Sequence, residues 1–414
     1  MIRLGVIGCG RILPAHLRGL REIKTRGLAD FEITALCSRN IDDAKMFRSP
    51  DDGVPPRPPT ANDQTDPLSA PHVYVSELQS GRPEVYSDYR HMLDSDSVDA
   101  VIVLTALDSH HTIGVDCLES GRHVMMEKPL AITVKAARML VDAAAKHDLT
   151  LATAEVIRYL EPIRAVHWTI RHGRIGRLQS VLAGGMGSPD WSPDYIAAHT
   201  AWRHVKQRAG GGPSIDFGVH LFDMIEYQCG EIDSVGAVTA TTEPVRRYRG
   251  DAPFEGTVEN ELEDVAMITY RFKSGAIGSL TLSWGAHGDV VAVPGGKAIY
   301  GSKGSIVGTE LTDDLGDKSD TIELMRAEAS PDQLERWFPG GLEDPFGLEL
   351  LDWLQAIEDS QREPEVDGAG GLRDLAVAYS VVESSVAGRQ VKVDEVASGS
   401  VDEYQREIDV ALGI

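Results

Sequence analysis

The run Gly210-Gly211-Gly212-Pro213-Ser214-Ile215-Asp216-Phe217-Gly218-Val219-His220-Leu221-Phe222-Asp223 gathers acids and one histidine behind a glycine stretch. If the chain after Pro213 is helical, Asp216 and His220 stand at i and i+4 on one face, and Asp223 falls on nearly the same face. A carboxylate beside an imidazole fixes its tautomer and favours its protonated form, as a general acid/base at neutral pH requires. The same pattern also describes a capped helix with a surface ion pair. Two further stretches, Gly8-Cys9-Gly10 and Glu127-Lys128-Pro129, bear on that choice through the elements that carry them.

Those elements follow from the texture of the first third, where short β-rich runs alternate with helical periodicity, the pattern of parallel strands joined by crossover helices. Ile2 to Ile7 reads as a strand, and Leu13, Leu17, Leu20 and Ile23 follow helical spacing after the glycine turn. Strand, glycine turn, helix is the setting of a dinucleotide fingerprint, although Leu13 stands at its third glycine position. The next strand, Phe31 to Cys37, ends in Ser38-Arg39-Asn40. An acid at this place would hold the adenosine ribose; a serine followed by Arg39 suits a 2′-phosphate instead, which favours NADP over NAD. Ala100 to Thr105 reads as a strand buried on both faces, and Val124-Met125-Met126 as another that carries Glu127-Lys128-Pro129 to the same edge. Residues 49–83, rich in proline and acid, read as an inserted, partly disordered loop.

From about residue 177 the texture changes to longer strand-like runs, at Leu178 to Leu182, Ser234 to Thr242, Asp264 to Phe272 and Ala276 to Trp284, which predict a largely antiparallel sheet. One face of such a sheet takes its own helices, and the other needs cover, commonly a second subunit. Phe346 to Ile357 and Leu372 to Val386 read as helices, and the acidic tail after Val391 as loosely attached.

A chain of 414 residues exceeds what one core supports, so two domains are expected. The net charge of −24, without a basic patch, argues against nucleic acid and anionic membranes as partners. Four dispersed cysteines, with no Cys/His cluster at zinc spacing, point to a reduced cytoplasm and to no metal. There is no leader-like start and no apolar run of membrane-spanning length.

With these pieces together the sequence resembles the glucose-fructose oxidoreductase / inositol dehydrogenase / rhizopine-catabolism (Gfo/Idh/MocA) family. The resemblance rests on Gly8-Cys9-Gly10-Arg11-Ile12, Thr105 to His110, His123 to Leu130, and Ala209-Gly210-Gly211-Gly212 followed by Asp216, Gly218, His220 and Asp223. Departures are Leu13 for a small residue, Ala106-Leu107 for Pro-Asn, and Val156 for asparagine. It implies an α/β chain with an N-terminal Rossmann domain (1–130, interrupted by 49–83). A C-terminal α+β domain (131–390) would follow, with a large, mostly antiparallel open sheet for substrate binding and oligomerisation, and then the tail 391–414. The family's catalytic group falls on Lys128, Asp216 and His220. Gly8, Gly10, Arg11, Ile12, Thr105, Leu107, His110, Glu127, Lys128, Trp202 and Arg203 fall on cofactor positions, beside Ser38 and Arg39. Arg158 and Tyr159 join Lys128, Asp216 and His220 as candidate substrate contacts.

Oxidising a carbinol needs a base for the hydroxyl proton while hydride leaves for nicotinamide. His220 would be that base, Asp216 its orienting carboxylate, and Lys128 the ammonium that favours the developing alkoxide. The expected protein is an NAD- or NADP-dependent dehydrogenase of a sugar, sugar derivative or cyclic polyol, acting as a homodimer or homotetramer. Two alternatives stand beside it: a glycoside-cleaving enzyme using tightly bound NAD through transient oxidation, and a non-enzymatic NAD(P)-sensing regulator.

Overall fold

Six short apolar strands and their crossover helices open the chain in the computed structural model, which describes residues 1–59, 66–187, 201–247, 256–286 and 288–414. In order they are β1 (Ile2–Ile7), α1 (Leu13–Arg26), β2 (Phe31–Cys37), α2 (Ile41–Arg48), β3 (Glu84–Tyr86), α3 (Tyr89–Asp94), β4 (Ala100–Val103), α4 (His110–Glu119), β5 (His123–Glu127), α5 (Val134–His147) and β6 (Leu151–Ala154). All pairings are parallel, in the order β3-β2-β1-β4-β5-β6. The order reverses between β1 and β4, and an open α/β sheet binds its ligand at such a switch point, outside the carboxyl ends of the strands. Every residue of β4 is buried, as a strand covered by helices on both faces requires.

Two expectations need correction. The part of the 49–83 insertion after residue 66 is packed: Ala70, Val73 and Val75 are buried, and Ala70 joins Ala15 and Phe346 in one cluster, whereas residues 55–59 are exposed. Asp52 clasps the ends of the segment, accepting from Arg48 Nε at 2.8 Å and Arg82 Nη2 at 2.7 Å. The arginines hold its carboxyl below the ordinary range. A few apolar residues spaced among prolines have no period, so their burial is invisible in the sequence pattern. Residues 60–65 of this insertion lie outside the described residues. The acidic tail is also packed: Val391, Val393, Val396 and Ile408 are buried, and Asp409 accepts from Thr133 Oγ1 at 2.6 Å. Its core-facing positions are few and separated by charges, which masked them.

The chain divides into two compact units, each discontinuous in sequence: Met1–Ala131 with Ala137–Leu160 and Ser330–Gly371, and Ile132–Ala136 with Glu161–Ala329 and Leu372–Ile414. Within the first, the late helix Pro345–Glu358 lies against α1 so closely that a Cβ on Gly19 would sit 2.5 Å from the Gly347 nitrogen. Glycine on both helices permits that backbone approach.

The second unit carries β7 (Leu178–Met186), β8 (Ile232–Ala240), β9 (Val245–Arg247), β10 (Thr257–Glu259), β11 (Val265–Phe272), β12 (Ile277–Ser283), β13 (Val291–Gly301), β14 (Gly304–Val307), β15 (Glu310–Asp313), β16 (Lys318–Asp320) and β17 (Val391–Lys392). Apart from a β9-β10 ribbon these strands form one sheet, β16-β15-β14-β13-β7-β12-β11-β8-β17, in which only β7 and β12 run parallel. In β11, Ala266, Ile268, Tyr270 and Phe272 face inward, while Met267, Thr269 and Arg271 face out. Register places Leu182, Val238, Ile277 and Tyr300 on the outward face with Met267, and all five are exposed. Inside, Phe222 of the helix Gly218–Cys229 meets Tyr270 edge to face at 6.3 Å.

Candidate active site

The glycine turn after β1 has the shape a dinucleotide needs. Gly8 adopts φ +102°, and a Cβ there would lie 2.5 Å from the Leu104 carbonyl oxygen, so only glycine fits between β1 and β4. A Cβ on Gly10 would meet nothing within 4 Å among the described residues, which leaves its backbone approachable by them. The turn is tied to the end of β2 by Gly8 N–H donating to Cys37 O at 2.8 Å. Arg11 is exposed, Ile12 half-buried, Ser38 half-buried and Arg39 exposed, so the predicted adenosine-side residues sit along one edge of the sheet.

The loop after β4 holds Thr105 and Leu107, and its far end is pinned by His110. That imidazole is enclosed, with Nδ1 3.0 Å from Pro129 O and Nε2 3.1 Å from Thr105 O. Burial lowers its proton affinity against the pull of the two carbonyls. His110 thus lies between the loops after β4 and β5, and its N–H donates to one of the two carbonyls according to the tautomer. Lys128 follows β5 directly and is half-buried, and the Lys128-Pro129 bond is cis.

Glu127, one residue before that lysine, is 3.3 Å from Nε2 of His16, which is wholly enclosed in α1. Neighbouring Glu349, on the helix Pro345–Glu358, is also enclosed, and among the described residues neither of its carboxyl oxygens has a hydrogen-bond partner. Burial first, then the charges of Glu127, Glu155 and Asp344, push its carboxyl well above the ordinary range. Arg158 and Tyr159, predicted substrate contacts, are committed nearby: Arg158 Nη1 donates to Glu365 O at 2.9 Å and Tyr159 Oη to Asp352 at 3.0 Å.

In the second unit the glycine run starts a helix as expected, though in two pieces, Pro213–Asp216 and Gly218–Cys229. Phe217 between them keeps helical angles (φ −105°, ψ −32°), so the i, i+4 relation of Asp216 and His220 survives. Both are half-buried, whereas Asp223 is fully buried. Pro at the first helical position costs no backbone bond. What anchors the start is Glu263, just before β11, whose carboxylate accepts from Gly212 N at 3.0 Å and Ser214 N at 3.2 Å. A Cβ on Gly212 would fall 1.8 Å from the Glu263 carbonyl oxygen, which explains a glycine there.

Asp216 Oδ2 accepts from Arg203 Nε at 2.9 Å, and the Arg203 guanidinium lies 4.6 Å over the Trp202 ring. The predicted Trp202-Arg203 pair is therefore assembled with the predicted acid. Close by, His204 bonds Asn260 at 3.2 Å, and burial lowers its pKa to about 4. Among the described residues no group of three or more His, Cys, Asp or Glu could hold a metal ion. No helix among them is long and apolar enough to cross a membrane.

Comparison with known proteins agrees with the fold of the two units. A model described as an oxidoreductase family with an NAD-binding Rossmann fold matches residues 2–155, and one described as a GFO/IDH/MocA C-terminal domain matches residues 163–307. The chain belongs to the Gfo/Idh/MocA family of oxidoreductases. Among family members, a levoglucosan dehydrogenase of Pseudarthrobacter phenanthrenivorans is 32% identical over 230 residues, spanning 53% of this chain and 58% of that protein. A myo-inositol 2-dehydrogenase of Thermotoga maritima is 26% identical over 407 residues, 95% of this chain and 99% of that one. A levoglucosan dehydrogenase solved with NADH and levoglucosan shares the fold at a TM-score of 0.70 and 22% identity, over 95% of this chain and 99% of that one.

Sequence reasoning did not single out His16, Glu263 or Glu349. The signal for Glu263 was faint, an acid pair set directly before an alternating strand at Leu262-Glu263-Asp264-Val265. His16 and Glu349 each lie on an amphipathic helix at a core-facing position, a combination that burial makes costly and that therefore asks for an explanation.

Proposed function

We propose that this chain oxidises a carbinol of a sugar, sugar derivative or cyclic polyol, with NAD or NADP as hydride acceptor. The observation that carries the reading is the half-buried Asp216-His220 pair on a helix whose start is anchored by Glu263, in a chain with a Rossmann glycine turn. Bound nicotinamide would supply the hydride chemistry, and Gly8, Gly10, Arg11 and Ile12 would hold its pyrophosphate at the turn. His220 takes the hydroxyl proton. Asp216, itself held by Arg203, orients the imidazole and offsets its charge. Lys128 stabilises developing negative charge on the substrate oxygen. Ser38 and Arg39 favour the 2′-phosphate of NADP.

The exposed apolar face formed by Leu182, Val238, Met267, Ile277 and Tyr300 supports a homodimer or homotetramer built through the open sheet. The test is nicotinamide reduction by the purified protein with NAD and with NADP, across polyols, free sugars and glycosides. Net reduction with a polyol or sugar, lost in His220→Ala, is the expected result. Glycoside cleavage without net redox change would replace the reading with the bound-cofactor alternative.

A further inference from the structure

One arginine of the insertion reaches the adenosine side of the dinucleotide turn. Arg57, in the proline-rich stretch 54–59, donates from Nη1 to the Cys9 carbonyl at 3.4 Å and forms an ion pair with Asp43 on the first turn of α2. Cys9 lies between the two glycines of the turn, and the turn is bonded to the last residue of β2 through Gly8 N and Cys37 O. Cys9 Sγ contacts that same carbonyl at 3.7 Å. Ser38 and Arg39 follow immediately. Arg57 therefore spans the corner between the β1 turn and the end of β2, where a Rossmann domain receives the adenosine ribose.

The charges at this corner are nearly balanced. Asp42 and Asp43 occupy the first turn of α2; Lys45 Nζ is 3.1 Å from Asp42, and Arg57 pairs with Asp43. Asn40 caps α2 and also donates to Asp43 at 3.2 Å. Arg39 is exposed at the same edge. A dianionic phosphate arriving on the ribose would meet Arg39 from the strand end and Arg57 from the insertion. Arg57 has two edges to its guanidinium fork, so it can bind phosphate while keeping its carbonyl contact.

We propose that Arg57 is a specificity-determining residue for the 2′-phosphate of NADP, and that residues 49–59 of the insertion are part of the cofactor site. The proposal rests on the nicotinamide-dependent reading above and extends it to a segment without a counterpart in the dinucleotide fingerprint. Asp43 holds the guanidinium at the corner, and the phosphate competes with that carboxylate for it.

The experiment is calorimetric titration of the unaltered 414-residue chain and of Arg57→Ala, Arg57→Lys and Asp43→Asn with NAD, NADP, ADP and 2′-phospho-ADP, with thermal melting as the check on folding. Arg57→Ala should weaken NADP and 2′-phospho-ADP about tenfold or more, the scale of one charge-assisted bond, and leave NAD and ADP within about twofold. Arg57→Lys should recover part of the loss. Asp43→Asn should leave NADP as tight or tighter, because it removes the competing acid and keeps the cation.

Equal weakening of NAD and NADP by Arg57→Ala would overturn the proposal, as would no weakening of either. Loss of NADP affinity in Asp43→Asn equal to that in Arg57→Ala would reduce Arg57 to a structural tie and also overturn it. Failure of the unaltered protein to bind any of the four ligands would sink the nicotinamide reading itself, a result separable from the others.

Discussion

Two buried glutamates show how differently the two units treat the same group. Glu263 in the second unit is enclosed but faces two backbone N–H groups at the start of the Asp216-His220 helix. Glu349 in the first unit is also enclosed, faces no donor among the described residues, and lies near the charges of Glu127, Glu155 and Asp344. Burial raises the pKa of both. At Glu263 the N–H bonds pull the other way, whereas at Glu349 the neighbouring acids add to the rise. A buried carboxyl surrounded by donors is an anchor for backbone. One set among other acids holds its proton more tightly than a free carboxyl.

The comparison can be broken by substitution, and the largest expected effect concerns what Glu263 anchors. If the anchored helix carries the base, His220→Ala lowers turnover by roughly 10² to 10⁴ while nicotinamide affinity and melting temperature hold, since general-base catalysis is typically worth that much. Steady-state kinetics with cofactor titration checks this; near-normal turnover would move the base elsewhere.

Next is the anchor itself. Glu263→Ala strands two buried N–H groups and should destabilise the protein by about 2–4 kcal/mol in denaturant melts, with turnover falling as well. A loss under about 1 kcal/mol would mean that the glycine run holds its shape unaided.

Glu349→Gln should have the opposite sign. Because the folded carboxyl sits above its unfolded value of about 4.5, the unfolded chain releases this proton first as pH rises, and the folded state loses stability from that point up to the folded value. Glutamine has the same shape and is neutral throughout. The variant should match the parent in acid and become the more stable of the two as pH rises towards neutral. A gain independent of pH would refute protonation as the cause.

The smallest effect belongs to the partly exposed Arg203–Asp216 pair. Arg203→Gln should cost no more than about 1 kcal/mol in stability. Its effect on kcat should exceed what that loss explains if Arg203 positions the acid.

Much of the first unit was legible because parallel strands buried on both faces leave continuous apolar runs, as in Ala100 to Val103, and glycine turns mark their ends. The second sheet was legible where strands alternate, as in β11, and missed where they are short or interrupted. β13 contains Pro294-Gly295-Gly296, with a register shift between Ala292 and Lys297, so no period runs through it. The tail was misread because a short element needs only two or three buried residues, too few to show against its charges.

By itself the sequence determined what is local: the strand, glycine turn and helix at residues 2–26, and the placement of Asp216 and His220 one turn apart. These depend on backbone geometry within a few residues, which residue type dictates directly. Tertiary structure alone decided that Glu263 meets Gly212, that Arg57 reaches Cys9, and that residues 330–371 return to the first unit. Those partners are some 50 to 300 residues apart, and only chain packing chooses them: whether a buried acid anchors backbone depends on which donors the fold delivers to it.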